Sequence, residues 1–309
     1  MTDNQPTTAS AYDVVVVGGG AAGLSAALVL SRARRSVAVV DAGHPRNEPA
    51  AHMQGFLSRD GMPPAELLAV GRAEIQSYGA QVVPGTVSAV TAHDGGFEVT
   101  LSGGGSLRAR RLLVATGLRD ELPAVPGVRE RFGRDVLHCP YCHGWEVRDQ
   151  RLAVLGGTPG AVDHALLLRQ WSADLVLLPH DDVVGDLDRA RLAARGVEVV
   201  DGPVARVVVA GDAVRGLELA DGRTIERDAV FVRPRFHPHD GLLRDLGCAV
   251  DEQGWVVVDG TGRTSVPGVW AAGNAVDPRA QVVTAAGQGS AAAIALNADL
   301  VADDVDRAL

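Results

Sequence analysis

The chain of 309 residues contains no lysine, and all 29 of its basic side chains are arginine. Chemistry that needs an amine is therefore excluded, including a lysine Schiff base, a pyridoxal anchor and a P-loop lysine on a nucleotide phosphate. Basic charge is outnumbered: 38 acidic residues give a net charge of -9. That balance argues against a nucleic-acid binder or an anionic-membrane binder and points to a small partner. No apolar run approaches the ~20 residues of a membrane span. The start, residues 1–13, is polar and lacks the basic and apolar segments of a signal peptide, so a soluble cytoplasmic protein is expected. Cysteine is scarce too. Three residues are too few for a secreted disulfide framework, yet two of them, Cys139 and Cys142, form one Cys-x-x-Cys.

Glycine, by contrast, is abundant, and its placement is informative. A β-branched run, 14–17, leads into Gly18-Gly19-Gly20-Ala21-Ala22-Gly23 and then an Ala/Leu-rich stretch to Arg32, which is the pattern strand, glycine turn, helix. A second apolar run, 37–40, ends in Asp41, at the distance where an acid accepts from a ribose hydroxyl. In such a unit Gly18 makes the turn, Gly20 lets the backbone approach a pyrophosphate, and Gly23 permits close helix packing, while the helix N-terminus favours the negative charge. A dinucleotide is expected on residues 18–41.

Further along, residues 63–78 read as a helix and 97–101 as a strand of period two, with Gly103-Gly104-Gly105 as a turn. The apolar run 112–115 meets Thr116-Gly117, a Pro-rich stretch follows at 122–127, and a domain crossover is placed near residue 118. From Arg151 the order starts over: strand 152–155, glycine turn from Gly156, helix 160–171, strand 175–178, then strand signals at 197–200 and 230–232. A strand into a tight turn at 268–274 and an Ala-rich helix at 284–299 return to the first unit. The expected fold is α/β, with two Rossmann-like three-layer (ββα) nucleotide-binding domains, the second inserted in the first. Residues 1–118 and 241–309 form the discontinuous FAD-type domain, and 119–240 the NAD(P)-like insert that carries the cysteine pair.

The second fingerprint, Gly156-Gly157-Thr158-Pro159-Gly160-Ala161, puts Thr158 at the position where a side chain obstructs a pyrophosphate. Its second strand runs into Pro179-His180-Asp181-Asp182, where an NADPH site needs arginine and two carboxylates would repel the 2′-phosphate. NADPH is disfavoured. A residual NADH site and a remnant kept for packing both stay open.

The motif His138-Cys139-Pro140-Tyr141-Cys142-His143 admits three readings. Zinc would need two further ligands, and no second Cys-x-x-Cys exists, so no metal is expected. A structural pair is the second reading, and a redox dithiol is the favoured one. The attacking species is a thiolate, and His138 or His143 could take its proton near neutral pH; only one of the two is expected to be catalytic. Cys248 has no polar constellation around it and reads as a small buried residue. The Arg/His cluster at 233–239 either lines a pocket for a polar substrate or faces solvent.

The FAD-type fingerprint, the inserted unit with its Cys-x-x-Cys, Ala115-Thr116-Gly117 at the crossover and the closing Ala271-Ala272-Gly273 turn together resemble the low-molecular-weight thioredoxin reductase family over about residues 12–305. Residues 138–146, His-Cys-Pro-Tyr-Cys-His-Gly-Trp-Glu, resemble the branch that contains the dithiol oxidases of gliotoxin and holomycin biosynthesis. The resemblance implies a homodimer with one FAD per chain. It implies that Gly18, Gly20, Ala21, Ala22 and Gly23 hold the pyrophosphate, that Asp41 takes the adenosine ribose, and that Ala42, Gly43, Arg46 and Asn47 take the phosphate and flavin side. His52, Ala115, Thr116, Gly117, Gly273, Asn274, Gln281 and Val282 are the remaining implied contacts. Cys142 would face the flavin and Cys139 exchange with substrate. Two departures stand out: Asn274 where most members have Asp, and His143 where ordinary thioredoxin reductases have Asp, which suits His143 to acid/base work.

These features favour an FAD-dependent dithiol oxidase that forms an intramolecular disulfide in a small-molecule dithiol, with O2 as acceptor and hydrogen peroxide as product. The alternatives are an NAD(P)H-dependent thioredoxin or disulfide reductase and, from another class, a non-catalytic flavoprotein redox sensor.

Overall fold

The computed structural model describes residues 11–156 and 160–309; Thr158 and its neighbours Gly157 and Pro159 in the second glycine turn lie outside the described residues. From the N-terminus run β1 (Ala11–Val17), α1 (Ala21–Arg32), β2 (Val37–Asp41), α2 (Pro64–Ser77), β3 (Gln81–Pro84), β4 (Val87–His93), β5 (Gly96–Leu101), β6 (Ser106–Val114) and β7 (Leu118–Glu121). Then come α3 (Val128–Arg131), β8 (Val136–Leu137), α4 (Pro140–His143), β9 (Leu152–Leu155), α5 (Ala161–Leu168), β10 (Leu175–Leu178), α6 (Asp186–Ala194) and β11 (Glu198–Val199). The chain ends with β12 (Val204–Ala210), β13 (Ala213–Leu219), β14 (Thr224–Glu226), β15 (Ala229–Val232), β16 (Arg235–Pro238), α7 (Gly241–Asp245), β17 (Val269–Ala271) and α8 (Val282–Asp306). Two units result. The first comprises the chain as far as Arg46, Ala65–Arg119 and Pro238–Leu309, and the second Asn47–Pro64 and Asp120–His237. β7 and β16, where the chain passes between units, pair as a two-stranded ribbon.

The first unit is organised by the period of two in β1. Val14 and Val16 face a helical layer that includes Leu30 of α1, Ile75 of α2 and Leu296 of α8, while Val15 and Val17 face Val87, Phe97, Val99 and Leu243. The parallel core runs β3-β2-β1-β6, and β17 pairs with the end of β6 through Ala271 opposite Val114. The earlier half of β6 turns instead to β5, antiparallel, with Phe97 opposite Ala109. Helices, parallel sheet and the antiparallel strands β4 and β5 thus form the three layers expected. α1 and α8 approach so closely that a Cβ on Gly289 would lie 2.0 Å from the Ala22 carbonyl oxygen. α8 runs past the expected end at 299 because its last acids have arginine partners: Asp299 pairs with Arg111 at 2.5 Å, Asp303 with Arg110 at 2.5 Å and Asp304 with Arg35 at 2.8 Å. Arg110 also holds Asp13 at 2.9 Å. A planar guanidinium can serve several carboxylates at once, which an ammonium does less well.

The second unit repeats the plan, with parallel order β11-β10-β9-β15-β8 and an antiparallel sheet β12-β13-β14 beside it. Leu155, Leu178 and Val232 face Val207 and Leu217 of that sheet; Val154, Leu177 and Phe231 face Leu168 of α5 and Leu192 of α6. α5 stops at Leu168, three residues short of the expected 171, and just beyond it the Ser172 hydroxyl donates to the Gln150 carbonyl at 2.6 Å. Segment 47–64, expected with the first domain, groups with this unit: Pro49 packs so tightly on Gly133 that a Cβ there would lie 2.8 Å from the Pro49 Cβ.

Candidate functional site

In the first unit the glycine turn sits at the carboxyl end of β1, where α/β sheets bind ligands. Gly18 has φ +106, its N–H donates to the Val40 carbonyl at 2.8 Å, and a Cβ on it would lie 2.3 Å from the Ala115 carbonyl oxygen. A Cβ on Gly23 would lie 1.9 Å from the Gly18 carbonyl oxygen. Gly20 differs: its Cβ would meet nothing within 4 Å, so that side of the turn is open to a ligand. Gly19, which sequence reasoning passed over, donates its N–H to Asp41 Oδ1 at 3.2 Å, and a Cβ there would lie 2.6 Å from Asp41 Cγ. Arg72 of α2 donates to Asp41 Oδ2 at 3.0 Å. The acid expected on a ribose is therefore fixed in place from two sides.

Of the other predicted residues of this unit, Ala115 and Thr116 lie against Gly18 of the turn, and Gly273 lies against Ala22 of α1. Ala115 follows β6, its N–H bonded to the Val17 carbonyl at 2.7 Å. Thr116 Oγ1 donates to the His239 carbonyl at 2.6 Å, and the His239 N–H returns to the Gly117 carbonyl at 2.9 Å. A Cβ on Gly273 would lie 3.0 Å from that of Ala22, and the Gly273 N–H is held by Gln288 Oε1 at 3.0 Å. Ala21 opens α1, Gln281 caps α8 and Val282 opens it. Ala42 and Gly43 follow β2 and are exposed. Asn47 and His52 lie in the second unit.

Asn274 has a local role. Its Nδ2 donates to the Asp277 carbonyl at 2.8 Å and the Ala280 carbonyl at 3.0 Å, and its Oδ1 accepts from Arg46 at 3.1 Å. A carboxylate could not donate to the two carbonyls. Asn274→Asp is expected to cost about 1–3 kcal/mol of stability; a thermal midpoint equal to that of the parent protein would remove this role.

In the second unit Cys139 and Cys142 form a disulfide, their Cα atoms 5.2 Å apart. The local sequence explains the pairing. Cys139 is the N-cap of α4 with Pro140 at its first position, and the N–H groups of Cys142 and His143 reach the Cys139 carbonyl at 3.2 and 3.1 Å, so one helical turn brings the sulfurs together. His138 Nδ1 lies 3.2 Å from the Val232 carbonyl oxygen. A carbonyl only accepts, so Nδ1 carries the proton and the neutral ring has its lone pair on Nε2. His143 is half-buried, its Nδ1 is buried without a hydrogen-bond partner among the described residues, and burial lowers its pKa against the smaller opposing pull of Glu146. Tyr141 and Trp145 are 64% and 66% exposed beside the pair, with the Arg148 guanidinium 4.0 Å over the Trp145 ring. Cys248 is a buried free cysteine in the first unit whose thiol burial pushes up, so it is not a nucleophile poised for attack.

Within the second unit, the edge corresponding to the first unit's glycine turn is engaged by the protein's own side chains. Arg233 Nη1 donates to the Gly160 carbonyl at 3.2 Å, and a Cβ on Gly160 would lie 2.0 Å from that nitrogen. At the end of β10, His180 accepts the Val204 N–H on Nδ1 at 2.9 Å and approaches Asp181 with Nε2 at 3.1 Å. The arginines of α6 are paired as well, Arg189 with Asp201 and Arg191 with Asp163 and Asp188. In the 233–239 cluster Arg233 and His237 are tied into the structure, His237 reaching Glu121 at 2.5 Å, while Arg235 and His239 are exposed.

A family model for pyridine nucleotide-disulphide oxidoreductases matches residues 12–289. Among solved structures, HlmI is 60% identical with a TM-score of 0.94, covering 96% of this chain and 94% of that one. An oxidoreductase from Agrobacterium tumefaciens is 38% identical, TM-score 0.88, over 94% of this chain and 98% of its own. Thioredoxin reductase sirT of Leptosphaeria maculans is 31% identical over 97% of both chains. FAD suits the first unit: the open side of Gly20 and the fixed Asp41 carboxylate present what a pyrophosphate and a ribose require. With that cradle and a Cys-x-x-Cys disulfide in the inserted unit, the chain belongs to the pyridine nucleotide-disulphide oxidoreductase family, among its thioredoxin reductase-like, FAD-binding enzymes that act on dithiols and disulfides.

Proposed function

We propose that the protein is an FAD-dependent dithiol oxidase that closes an intramolecular disulfide in a small-molecule dithiol, with molecular oxygen as final acceptor. The observation that carries this reading is His143, which directly follows Cys142 of the disulfide and has a buried Nδ1 without a hydrogen-bond partner among the described residues. An orphaned buried nitrogen is costly, and beside a redox pair it has a use as the acceptor of a thiol proton. Support also comes from Arg233 and His180, whose side chains are bonded to the protein's own backbone at Gly160 and Val204, where a pyridine nucleotide would be expected to bind.

Gly18, Gly20, Ala21, Ala22 and Gly23 would hold the FAD pyrophosphate, Asp41 the ribose, and Arg46, Ala115, Thr116, Gly117, Gly273, Asn274, Gln281 and Val282 would complete the cradle. Bound FAD supplies a two-electron acceptor that restores the disulfide, oxygen then giving hydrogen peroxide. The cysteines do the exchange. A substrate thiolate attacks Cys139 Sγ, the Sγ–Sγ bond breaks, and its electron pair stays on Cys142 as thiolate. The second substrate sulfur, deprotonated, attacks the first; the bond to Cys139 breaks and the cyclic disulfide leaves. Two electrons now reside on the cysteine pair, and of the two substrate protons one is on Cys139 and one on His143.

Burial keeps His143 neutral below the ordinary histidine value of 6.5, so the base form persists to lower pH. The acid limb of kcat/KM is expected below 6.5, and His143→Asn should lower the rate on the order of 10²-fold or more. An acid limb at or above 6.5 that His143→Asn leaves in place would assign the proton elsewhere. The oxidase reading itself is tested by steady oxygen uptake with a small dithiol and no pyridine nucleotide; a stoichiometric requirement for NADPH would overturn it. A disulfide reductase is the second reading, favoured by the relative named thioredoxin reductase; there electrons run in the opposite direction through the same pair.

A further inference from the structure

Asp41 meets the glycine turn from the end of β2, and its backbone has little freedom. It pairs in register with Pro84 of β3, and its carbonyl accepts the Gly85 N–H at 2.9 Å. What remains to be set is the carboxylate. Oδ1 accepts from the Gly19 N–H at 3.2 Å, a long bond, whereas Oδ2 accepts from Arg72 Nη2 at 3.0 Å. The side chain lies so close over the turn that a Cβ on Gly19 would fall 2.7 Å from Oδ2 itself.

Arg72 is brought there by the packing of α2. Leu68 and Ile75 of that helix are buried in the layer that includes Leu24 and Leu30 of α1. Between them a Cβ on Gly71 would stand 3.1 Å from Leu24 Cδ1, so α2 lies tight against α1 and delivers the next residue, Arg72, to the end of β2. The guanidinium is 32% exposed and the carboxylate 17%. Ion pairs that reach solvent contribute little to stability, which leaves this one to be explained by what it orients.

An ionised carboxylate offers about four lone-pair sites, two on each oxygen. Gly19 occupies one on Oδ1 and Arg72 one on Oδ2, leaving one acceptor site per oxygen. A vicinal diol has one hydroxyl for each. Without Arg72 the carboxylate would be held by the long Gly19 bond alone and would turn about its terminal torsion, which is broad for aspartate. We propose that Arg72 is a positioning residue for the cofactor: by holding Asp41 Oδ2 it turns the two remaining acceptor sites toward the 2′- and 3′-hydroxyls of an adenosine ribose, and so selects a nucleotide with that diol intact. The proposal rests on Asp41 taking the ribose.

The test is rebinding of FAD to the full-length chain freed of flavin, in competition with ADP or with 2′-deoxy-ADP. The parent is expected to prefer ADP on the order of 30-fold, the worth of a hydrogen bond to a charged group. Arg72→Met should reduce that preference to about threefold while the flavin-free chain melts as the parent does. Arg72→Lys, which keeps a charged donor for the single contact, should return the preference to within about threefold of the parent. An arginine that only braces the fold, or that touches the phosphates, would instead weaken both nucleotides in proportion. Should Arg72→Met fail to fold, Arg72→Gln replaces it, its amide ending two bonds short of Nη2. A methionine or glutamine variant with the parent's preference, a proportional loss for both nucleotides, or a lysine variant as unselective as methionine overturns the proposal. Asp41→Asn shows separately whether the underlying reading fails: an asparagine variant that keeps the parent's preference removes the ribose from Asp41, and the role of Arg72 with it. Preference lost in Asp41→Asn but kept in Arg72→Met overturns the role of Arg72 alone.

Discussion

Cys139→Ser is expected to lose dithiol oxidation by on the order of 10³-fold or more while keeping its flavin. Serine offers no sulfur for a mixed disulfide and no partner for Cys142, so the substrate has nothing to attack. The residues proposed to hold flavin, within 18–41, 115–117 and 273–282, belong to the other unit and are far from this position in sequence. Cys142→Ser should be equally inactive, because the lone Cys139 thiol leaves no disulfide for a substrate thiolate to attack, and two reduced thiols cannot join without an oxidant. Neither change should unfold the protein. The ring closed by this disulfide is short, and chain-entropy arguments give it only about 2 kcal/mol. Oxygen uptake with a saturating dithiol, alongside the flavin-to-protein ratio, checks both statements. Turnover within tenfold of the parent in either variant would remove the pair from the mechanism.

The second large effect separates two glycines of one turn. Gly23→Ala places a Cβ 1.9 Å from the Gly18 carbonyl oxygen, and the Gly18 backbone has little room to move because its N–H is bonded to Val40 and its own Cα faces the Ala115 carbonyl. Relief would require α1 to shift against α8, where Ala22 and Gly289 already touch. A cost of about 3 kcal/mol or more is expected, with loss of flavin as its consequence. Gly20→Ala should do the reverse. Its φ of -78 suits any residue and its Cβ meets nothing within 4 Å, so the apoprotein should melt as the parent does. The added methyl would stand where a pyrophosphate must approach, so flavin affinity should fall on the order of 10²-fold. Apoprotein melting curves and flavin titrations of the two variants give this contrast; equal behaviour would mean that the turn is not the pyrophosphate site.

Much of the architecture was legible because it rests on local signals. The run at 14–17 alternates between two cores, and β-branched residues followed by glycines mark the strand and its turn whatever lies elsewhere in the chain. The repeat from 151 was visible for the same reason. What could not be read were pairings across long stretches of sequence. The expected end of the last helix at 299 falls short of Asp306 because the acids beyond it are stabilised by Arg35, Arg110 and Arg111, whose nearness no periodicity reveals. Arg72 on Asp41 and Gln288 on the Gly273 N–H were missed likewise. For segment 233–239, composition left pocket and solvent both open; the bond from Arg233 to Gly160 shows a side chain spent inside its own unit.

The central claim concerns the direction in which electrons enter, and an anaerobic half-reaction tests it most directly. The oxidised flavoprotein is mixed in the stopped-flow with a small dithiol, with NADH or with NADPH, and flavin absorbance is followed. Bleaching by the dithiol at least as fast as turnover, with neither nucleotide bleaching it, is the result expected of a dithiol oxidase. Rapid bleaching by NADH or NADPH, with the dithiol inert, would contradict it.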